Sequence, residues 1–357
     1  MKAQRKKIDQ IDSQIIHLLD ERARLAREIG EVKRKRGTSA YFDPTRQKTV
    51  VRNALARAKG EFPRAALKNV MVEIMSACLS VEAPPKVAYL GPHATFSHIA
   101  ALREFGSSSI QEPYGSIEEI FQAVSKGQAN FGIVPIENST GGIIHRTLDL
   151  FIDTDLNICS EVLVHIQLHL IGRGPLSRVK VVYSHPQPFL QCSFWLQERL
   201  LHARREEVSS TTRGVELAKA NPRAAAIGSD LAARMYKLKI LARGIEDEKH
   251  NTTRFLVIGR YEPEPSGHDK TSLMFSVKDR PGALFNLLKP FAAAKINLSK
   301  IESRPTRRKA WDYVFFLDLE GHRKDKKVAK ALEQLSGHCD FLRVLGSYPC
   351  DDKTNYW

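Results

Sequence analysis

Between residues 8 and 32 the apolar side chains Ile8, Ile11, Ile15, Leu18, Leu25, Ile29 and Val32 recur at helical intervals. That spacing winds into one stripe along a single long amphipathic helix. The slot between Leu18 and Leu25 belongs to Arg22, and a guanidinium on a packed face is costly unless an anion meets it there. A helix of about 30 residues is about 45 Å long. The chain that follows offers two shorter helices as partners. Asp43-Pro44 opens one from about Pro44 to Ala58, and Gly60 to Pro63 ends it. The other runs from about Arg64 to Val81, with Met71, Met75, Cys78 and Glu82 on one face. These cannot cover the long stripe, so a dimer is the expected way to bury it.

The formal net charge of +15 invites a nucleic-acid reading. Its placement argues otherwise. Residues 1 to 60 hold sixteen Lys and Arg against seven Asp and Glu, +9 of the excess. Lys33-Arg34-Lys35-Arg36 suits a solvated helix C-terminus, favoured by the macrodipole. The aromatic residues that a single-strand binder interleaves with its cations are missing nearby. Five cysteines without paired metal spacing fit free thiols in a reducing cytoplasm. No apolar run reaches the ~18 residues of a membrane span, and MKAQRKKIDQ has no secretory apolar core. The expectation is a cytoplasmic chain with neither nucleic acid nor membrane as partner, and no metal.

After Pro84-Pro85 the rhythm changes. Apolar strands KVAYL, FGIVPI, KVVYS, AAAIGS and FLVIG alternate with segments of helical length, which predicts an α/β domain with a mostly parallel sheet, in two lobes. The polar clusters GPHATFS, ENSTGG, SHPQPF and GSD follow these strands, where open α/β sheets gather ligands. YEPEPSGHDK, residues 261 to 270, is a linker. Beyond it the order βαββαβ predicts a ferredoxin-like α+β module. The expected units are 1–84, 85–262 and 270–350.

These segments, in this order, resemble the bifunctional chorismate mutase–prephenate dehydratases of phenylalanine biosynthesis. The resemblance spans nearly the whole chain and rests on NTTRFLVIG (251–259), PIENST (135–140), SHPQPFLQC (184–192), PGAL (281–284) and ESRP (302–305). It implies a dimeric all-α mutase domain, a two-lobed dehydratase domain like a periplasmic binding protein, and an ACT regulatory domain. It implies chorismate and prephenate as substrates, phenylalanine as allosteric ligand, a homodimer with a tetramer as the alternative, and no cofactor.

Chorismate carries two carboxylates, and its pericyclic rearrangement needs no nucleophile. An enzyme holds the reactive conformer and stabilises charge on the breaking ether oxygen. Arginine forks suit carboxylates, which gives Arg22 its anion. Lys33 lies eleven residues on, within about 20° on the same face. By resemblance Arg22, Arg46 and the partner subunit's Arg5 bind carboxylates, Lys33 and Glu82 flank the ether oxygen, Asp43 and Gln47 lie near the ring hydroxyl, and Cys78 lines the pocket. Gln47 stands where the family usually has glutamate, and Glu82 where some members have glutamine. The blander reading of Arg22 is a seam arginine paired with a neighbouring carboxylate.

Dehydration of prephenate expels carbon dioxide and the ring hydroxyl, which calls for hydroxyl and amide donors beside a poor leaving group. Thr253 is the expected donor, with Asn138, Ser139 and Thr140 as neighbours and Thr95 and Ser97 as further donors. Arg254 either orients the pyruvyl carboxylate or braces the loop, and Phe255 packs the pocket wall. His93, His98 and His185 are candidate acids, although loop histidines are more often structural. Ala94 and Gly141 depart from the family's glycine and glutamate, and His145-Arg146 from its Asn-His. In the C-terminal module, Gly282, Ala283 and Leu284 with Glu302, Ser303 and Arg304 match the phenylalanine-binding loops, with Arg280 and Glu302 meeting the zwitterion's charges. The rival readings are a non-catalytic amino-acid-responsive sensor, and a mutase whose dehydratase is weak or directed to arogenate.

Overall fold

A computed structural model describes residues 1–35, 42–277, 281–305 and 313–351. Helix α1 spans Lys2–Lys35, α2 Pro44–Arg57 and α3 Arg64–Glu82. Asp43 caps α2 by accepting a hydrogen bond from the Arg46 amide, and Pro44 occupies the first turn, where its missing N–H costs nothing. Helix α3 packs against both α1 and α2. Gly30 is the one residue of α1 that is buried. The apolar stripe stays open, from Leu25 at 46% to Leu18 at 60% exposed. Thus the chain's own short helices leave the long one uncovered on that side. Among the described residues no helix is long and apolar enough to cross a membrane.

The middle of the chain runs β1 (Lys86–Leu90), α4 (Phe96–Phe105), β2 (Ile110–Tyr114), α5 (Ile117–Ser125), β3 (Phe131–Asn138), β4 (Gly142–Ile143), α6 (His145–Ile152) and β5 (Asn157–His165). A second lobe follows: β6 (His169–Gly172), β7 (Val181–Ser184), α7 (Pro186–Gln191), α8 (Ser193–Arg199), β8 (Arg204–Glu207), α9 (Thr211–Ala220), β9 (Ala224–Gly228), α10 (Asp230–Tyr236) and β10 (Lys239–Ala242). The chain then returns to the first lobe as β11 (Thr252–Gly259). The sheets are ordered β2-β1-β3-β11-β5, with β4 on β3, and β10-β6-β9-β7-β8.

Both sheets are mixed, which corrects the expectation of a mostly parallel one. Strand β1 is parallel to β2 and β3, but β11 is antiparallel to β3 and β5. In the second lobe β7 is parallel to its neighbours while β6 is antiparallel to β9 and β10. The reason is the path: a strand coming back from the other lobe enters its sheet from the opposite end. Strands β2 (IQEPY) and β8 (RREE) escaped the sequence reading because edge strands need few apolar residues.

The last unit is β12 (Asp269–Ser276), α11 (Ala283–Ala293), β13 (Leu298–Pro305), β14 (Tyr313–Glu320), α12 (Lys326–Ser336) and β15 (Phe341–Pro349), with sheet order β13-β14-β12-β15. This is the βαββαβ order read from the sequence. Leu273, Phe275 and Leu317 face the two helices through Leu287, Phe291 and Leu335. The opposite sheet face, with Met274, Phe316 and Tyr348, joins the core of the middle unit at Ile158, Leu256 and Ile258. Contact is tight: a Cβ on Gly346 would lie 2.2 Å from the Ile158 carbonyl oxygen, so only glycine fits. Helix α2 docks on both units, its Lys48 donating to the carbonyls of Glu161 (3.1 Å) and Pro349 (3.0 Å).

Candidate active sites

Two places gather the residues singled out above. In the helical unit the last residue of α3, Glu82, lies across α1. A Cβ on Gly30 would come 2.4 Å from Glu82 Cγ, so the glycine makes the groove in which this side chain rests. One turn on, Lys33 Nζ sits 3.2 Å from Glu82 Oε1, and the carboxyl-bearing side chain is only 6% exposed. Cys78, one turn before Glu82, is buried beside it on α3. Arg22 is half-buried on α1 and pairs with no carboxylate among the described residues. Its neighbour Arg24 is the one bound to a helix carboxylate, Glu28 at 2.8 Å. Arg5 is exposed near the start of the helix.

Helix α2 behaves differently from the expectation. Asp43 is occupied as a cap, and the Gln47 side-chain amide donates to the Glu104 carbonyl of α4, away from the α1–α3 groove. Arg46 is exposed. The described contacts therefore bring Lys33, Glu82 and Cys78 together and include none from Asp43, Arg46 or Gln47 to them. Gly30 was missed by the sequence reading. Its signal was a glycine inside a helix, which costs about 0.5–1 kcal/mol relative to alanine and so needs a reason.

The second place lies between the lobes, at the ends of β3 and β11. The Asn138 amide is its hub. Nδ2 donates to Asn251 Oδ1 (2.7 Å) and to Thr253 Oγ1 (2.8 Å), while Oδ1 accepts from the amides of Thr140 (3.1 Å) and Gly141 (2.6 Å) and from Thr140 Oγ1 (2.8 Å). The loop is further locked by Ser139, whose hydroxyl donates to the His250 carbonyl (3.0 Å) and accepts from the Thr252 amide (2.9 Å). Asn251, 1% exposed, was overlooked although it opens the NTTRF segment.

The hydroxyls can be sorted by what their single proton does. Thr95 caps α4 and gives its proton to the Leu90 carbonyl (2.9 Å). Those of Ser139 and Thr140 are committed as above. Thr253 differs: it accepts from Asn138 and donates to no described group, so its proton remains for a ligand. Ser97, buried in the first turn of α4, likewise donates to no described group. Phe255 is 2% exposed within the main core.

Arg254 needs correcting. Successive strand residues face opposite ways, so Arg254 points away from the side on which Thr253 meets Asn138. Its guanidinium meets Glu161 (2.7 Å), Glu137 (3.0 Å), Asp318 (2.6 Å) and the Tyr348 hydroxyl (2.9 Å). Four of its five N–H donors are taken, so of the two roles left open for it, the brace is the one its contacts match. Burial alone would raise the carboxyls of Glu137, Glu161 and Asp318, but Arg254, Lys270 and Lys300 hold them below the usual carboxylate range.

Each of the three histidines has a contact within the fold through Nδ1. His185 caps α7. The Tyr89 hydroxyl and His93 Nδ1 share a hydrogen bond of 2.5 Å. His98 accepts the Ala94 amide on Nδ1 (3.0 Å) and stacks on Tyr89. Burial, then the neighbouring His93, push it down to about 4. A histidine whose native value is lowered stabilises the fold above its ordinary value and loses that contribution as pH falls. Stability should therefore decline between about pH 6.5 and about pH 4, and His98→Gln should flatten that decline in urea titrations across the range. An unchanged slope in the variant would show that His98 is not the group responsible.

Nothing among the described residues requires alanine at 94 or glycine at 141. Ala94 sits at φ 64°, a left-handed conformation where glycine is the easier residue. Its carbonyl accepts from Ser229 and its neighbour His93's from Thr212, both in the second lobe. A Cβ on Gly141 would lie 2.8 Å from the Gln187 side-chain amide, a flexible group, and 3.1 Å from Asn138 Oδ1, so a larger residue would press on the Asn138 hub.

In the C-terminal unit Gly282 adopts φ 76° at the start of α11, which suits glycine. Arg280 lies outside the described residues. Ala283 borders a cavity of about 740 Å³ between α11 and the end of α12, with Asn286, Lys289, His338 and Asp340. Leu284 packs against the unit's own core. On β13, Glu302 is half-buried and Ser303 exposed, while Arg304 is drawn to the middle unit, where Asp149 of α6 binds it through two hydrogen bonds of 3.0 and 3.1 Å. Among the described residues no group of His, Cys, Asp and Glu could hold a metal ion.

Comparison with known proteins assigns each unit. Residues 87–263 match the prephenate dehydratase family, 4–83 chorismate mutase type II, and 271–337 the ACT domain. A bifunctional chorismate mutase/prephenate dehydratase of Aquifex aeolicus is 46% identical over 354 residues, covering 98% of each chain. One from Stutzerimonas stutzeri is 42% identical over 98% of this chain and 97% of its own. Among solved structures, the prephenate dehydratase of Arthrobacter aurescens in complex with L-Phe is 35% identical with a TM-score of 0.69, over 74% of this chain and 89% of that one.

Proposed function

Because this chain belongs to the bifunctional chorismate mutase/prephenate dehydratase family, we infer that its two chemistries are divided between the α1–α3 groove and the Thr253 cleft. Residues 1–84 carry the mutase, 85–262 the dehydratase and 270–350 the ACT regulatory unit in this reading. The observation that carries it is the uncommitted Thr253 hydroxyl, aimed by Asn138 at 2.8 Å. It protonates the departing ring hydroxyl of prephenate, which leaves as water while the ring carboxylate leaves as carbon dioxide, giving phenylpyruvate, and solvent returns the proton to Thr253. Asn138 and Asn251 hold it, and Ser139 and Thr140 fix the loop. Prephenate is the substrate of this cleft.

For the mutase, Arg22 supplies the fork for a chorismate carboxylate, and Lys33 with Glu82 brackets the ether oxygen. The open stripe of α1 supports a homodimer, in which a second copy covers it and the partner subunit's Arg5 completes the site. The groove made by Gly30 gives a direct test. Gly30→Ala should displace Glu82 from Lys33 and lower mutase turnover by about tenfold or more, leaving dehydratase turnover alone. Alanine's better helix propensity argues against general destabilisation as the cause. Unchanged mutase turnover would mean that Glu82 does not need that seat.

For regulation, the reading is phenylalanine feedback through the ACT unit, with Gly282, Ala283 and Leu284 and the β13 residues Glu302 and Ser303 in its binding loops. The L-Phe complex of the related dehydratase supports the ligand's identity. Calorimetry with phenylalanine, paired with dehydratase assays, should give saturable binding and inhibition over the same concentrations. Absence of binding heat and of inhibition would remove this part.

A further inference from the structure

Across the β11–β3 ladder Thr253 pairs with Asn138, and the next pair is Arg254 with Glu137. Alternation along a strand sends the first pair into the cleft and the second toward the ACT sheet. There Arg254, Glu137 and Glu161 of the middle unit meet Asp318, Lys270 and Lys300 of the C-terminal unit, as pairs between 2.6 and 3.0 Å. Each half alone carries an unbalanced charge, negative on one side and positive on the other. Only docking makes the set neutral, and a buried unbalanced charge is unfavourable.

Strand β13 grips the same loop twice. Lys300 holds Glu137 at 2.8 Å, just before Asn138, and Arg304 holds Asp149 on α6, just after the loop closes. The ladder register also slips between Arg254 and Phe255, and such irregularities re-aim side chains next to functional sites.

We propose that Arg254 and Glu137 are positioning residues through which the C-terminal sheet, by way of Lys300 and Asp318, sets the aim of Thr253 and Asn138. This rests on the reading of Thr253 as the proton donor. A shift of β13 then reaches both ends of the Asn138 loop and alters turnover of bound prephenate more than its binding.

The test uses the full-length protein with Lys300→Gln, Lys300→Arg, Asp318→Asn and Thr253→Val, assaying both activities in each and recording melting temperature. None of the three ACT-side variants touches substrate. Lys300→Gln and Asp318→Asn should each lower dehydratase kcat by about tenfold with KM for prephenate little changed. Lys300→Arg, which keeps the cation, should recover most of the loss. Mutase turnover, measured on the same chains, should stay at the parent level and report folding. If Thr253→Val abolishes dehydration while Lys300→Gln and Asp318→Asn keep the parent kcat, the inference is overturned and the reading of the cleft survives. A Lys300→Arg chain as slow as Lys300→Gln would also overturn it, since packing and not charge would then be at stake. If Thr253→Val keeps full activity, the cleft reading fails and the inference falls with it.

Discussion

Thr253→Val should abolish most dehydratase activity, lowering kcat by about 10²- to 10⁴-fold, the usual contribution of a positioned proton donor. Valine keeps the shape and the strand propensity of threonine, so the change is confined to one hydroxyl. It also leaves one Asn138 N–H without its acceptor at 2.8 Å, which costs about 1–3 kcal/mol of stability. The two effects are separable: the kinetic loss persists at temperatures where the variant is fully folded. Serine, which retains the proton, should recover part of the rate. If Thr253→Val turned over prephenate at the parent rate, a different group would have to protonate the leaving hydroxyl.

Arg22→Ala should remove chorismate mutase activity to a comparable extent. A bidentate guanidinium–carboxylate contact makes two charge-assisted hydrogen bonds, each contributing about 1.5–3 kcal/mol, so kcat/KM should fall by about 10²- to 10⁴-fold. Lysine at this position should restore little, because an ammonium cannot present the planar fork. The alternative, that Arg22 is a seam arginine neutralised within the chain, predicts a loss of stability with little kinetic effect. The absence of a described carboxylate partner for Arg22 favours the kinetic outcome.

Much of this was legible in the sequence because periodicity is a local property. The α1 stripe, the helix start at Asp43-Pro44, and the βαββαβ order follow from spacing and capping chemistry. Sheet direction was not legible: whether β11 runs with or against β3 depends on the route taken through the second lobe. The same holds for Arg254. Its place in the TRF segment suggested either a substrate contact or a brace, and strand parity, fixed only once the ladder is known, sends it to the ACT interface. The Gln47 contact with α4 was not legible for a related reason, since it joins distant segments. Nor could composition show which hydroxyl keeps its proton. Thr95, Ser139, Thr140 and Thr253 are alike as letters and differ only in the acceptors around them. Gly30 could have been found, because a glycine inside a long helix asks for a close neighbour.

The central claim is that one chain runs two separable reactions from two sites, one built on Arg22 and one on Thr253. The direct measurement supplies chorismate, then prephenate, to purified Arg22→Ala and Thr253→Val proteins and follows prephenate and phenylpyruvate. Thr253→Val should convert chorismate and stop at prephenate. Arg22→Ala should leave chorismate intact but turn supplied prephenate into phenylpyruvate at the parent rate. Loss of the same step in both variants, or of neither step in either, would contradict the account.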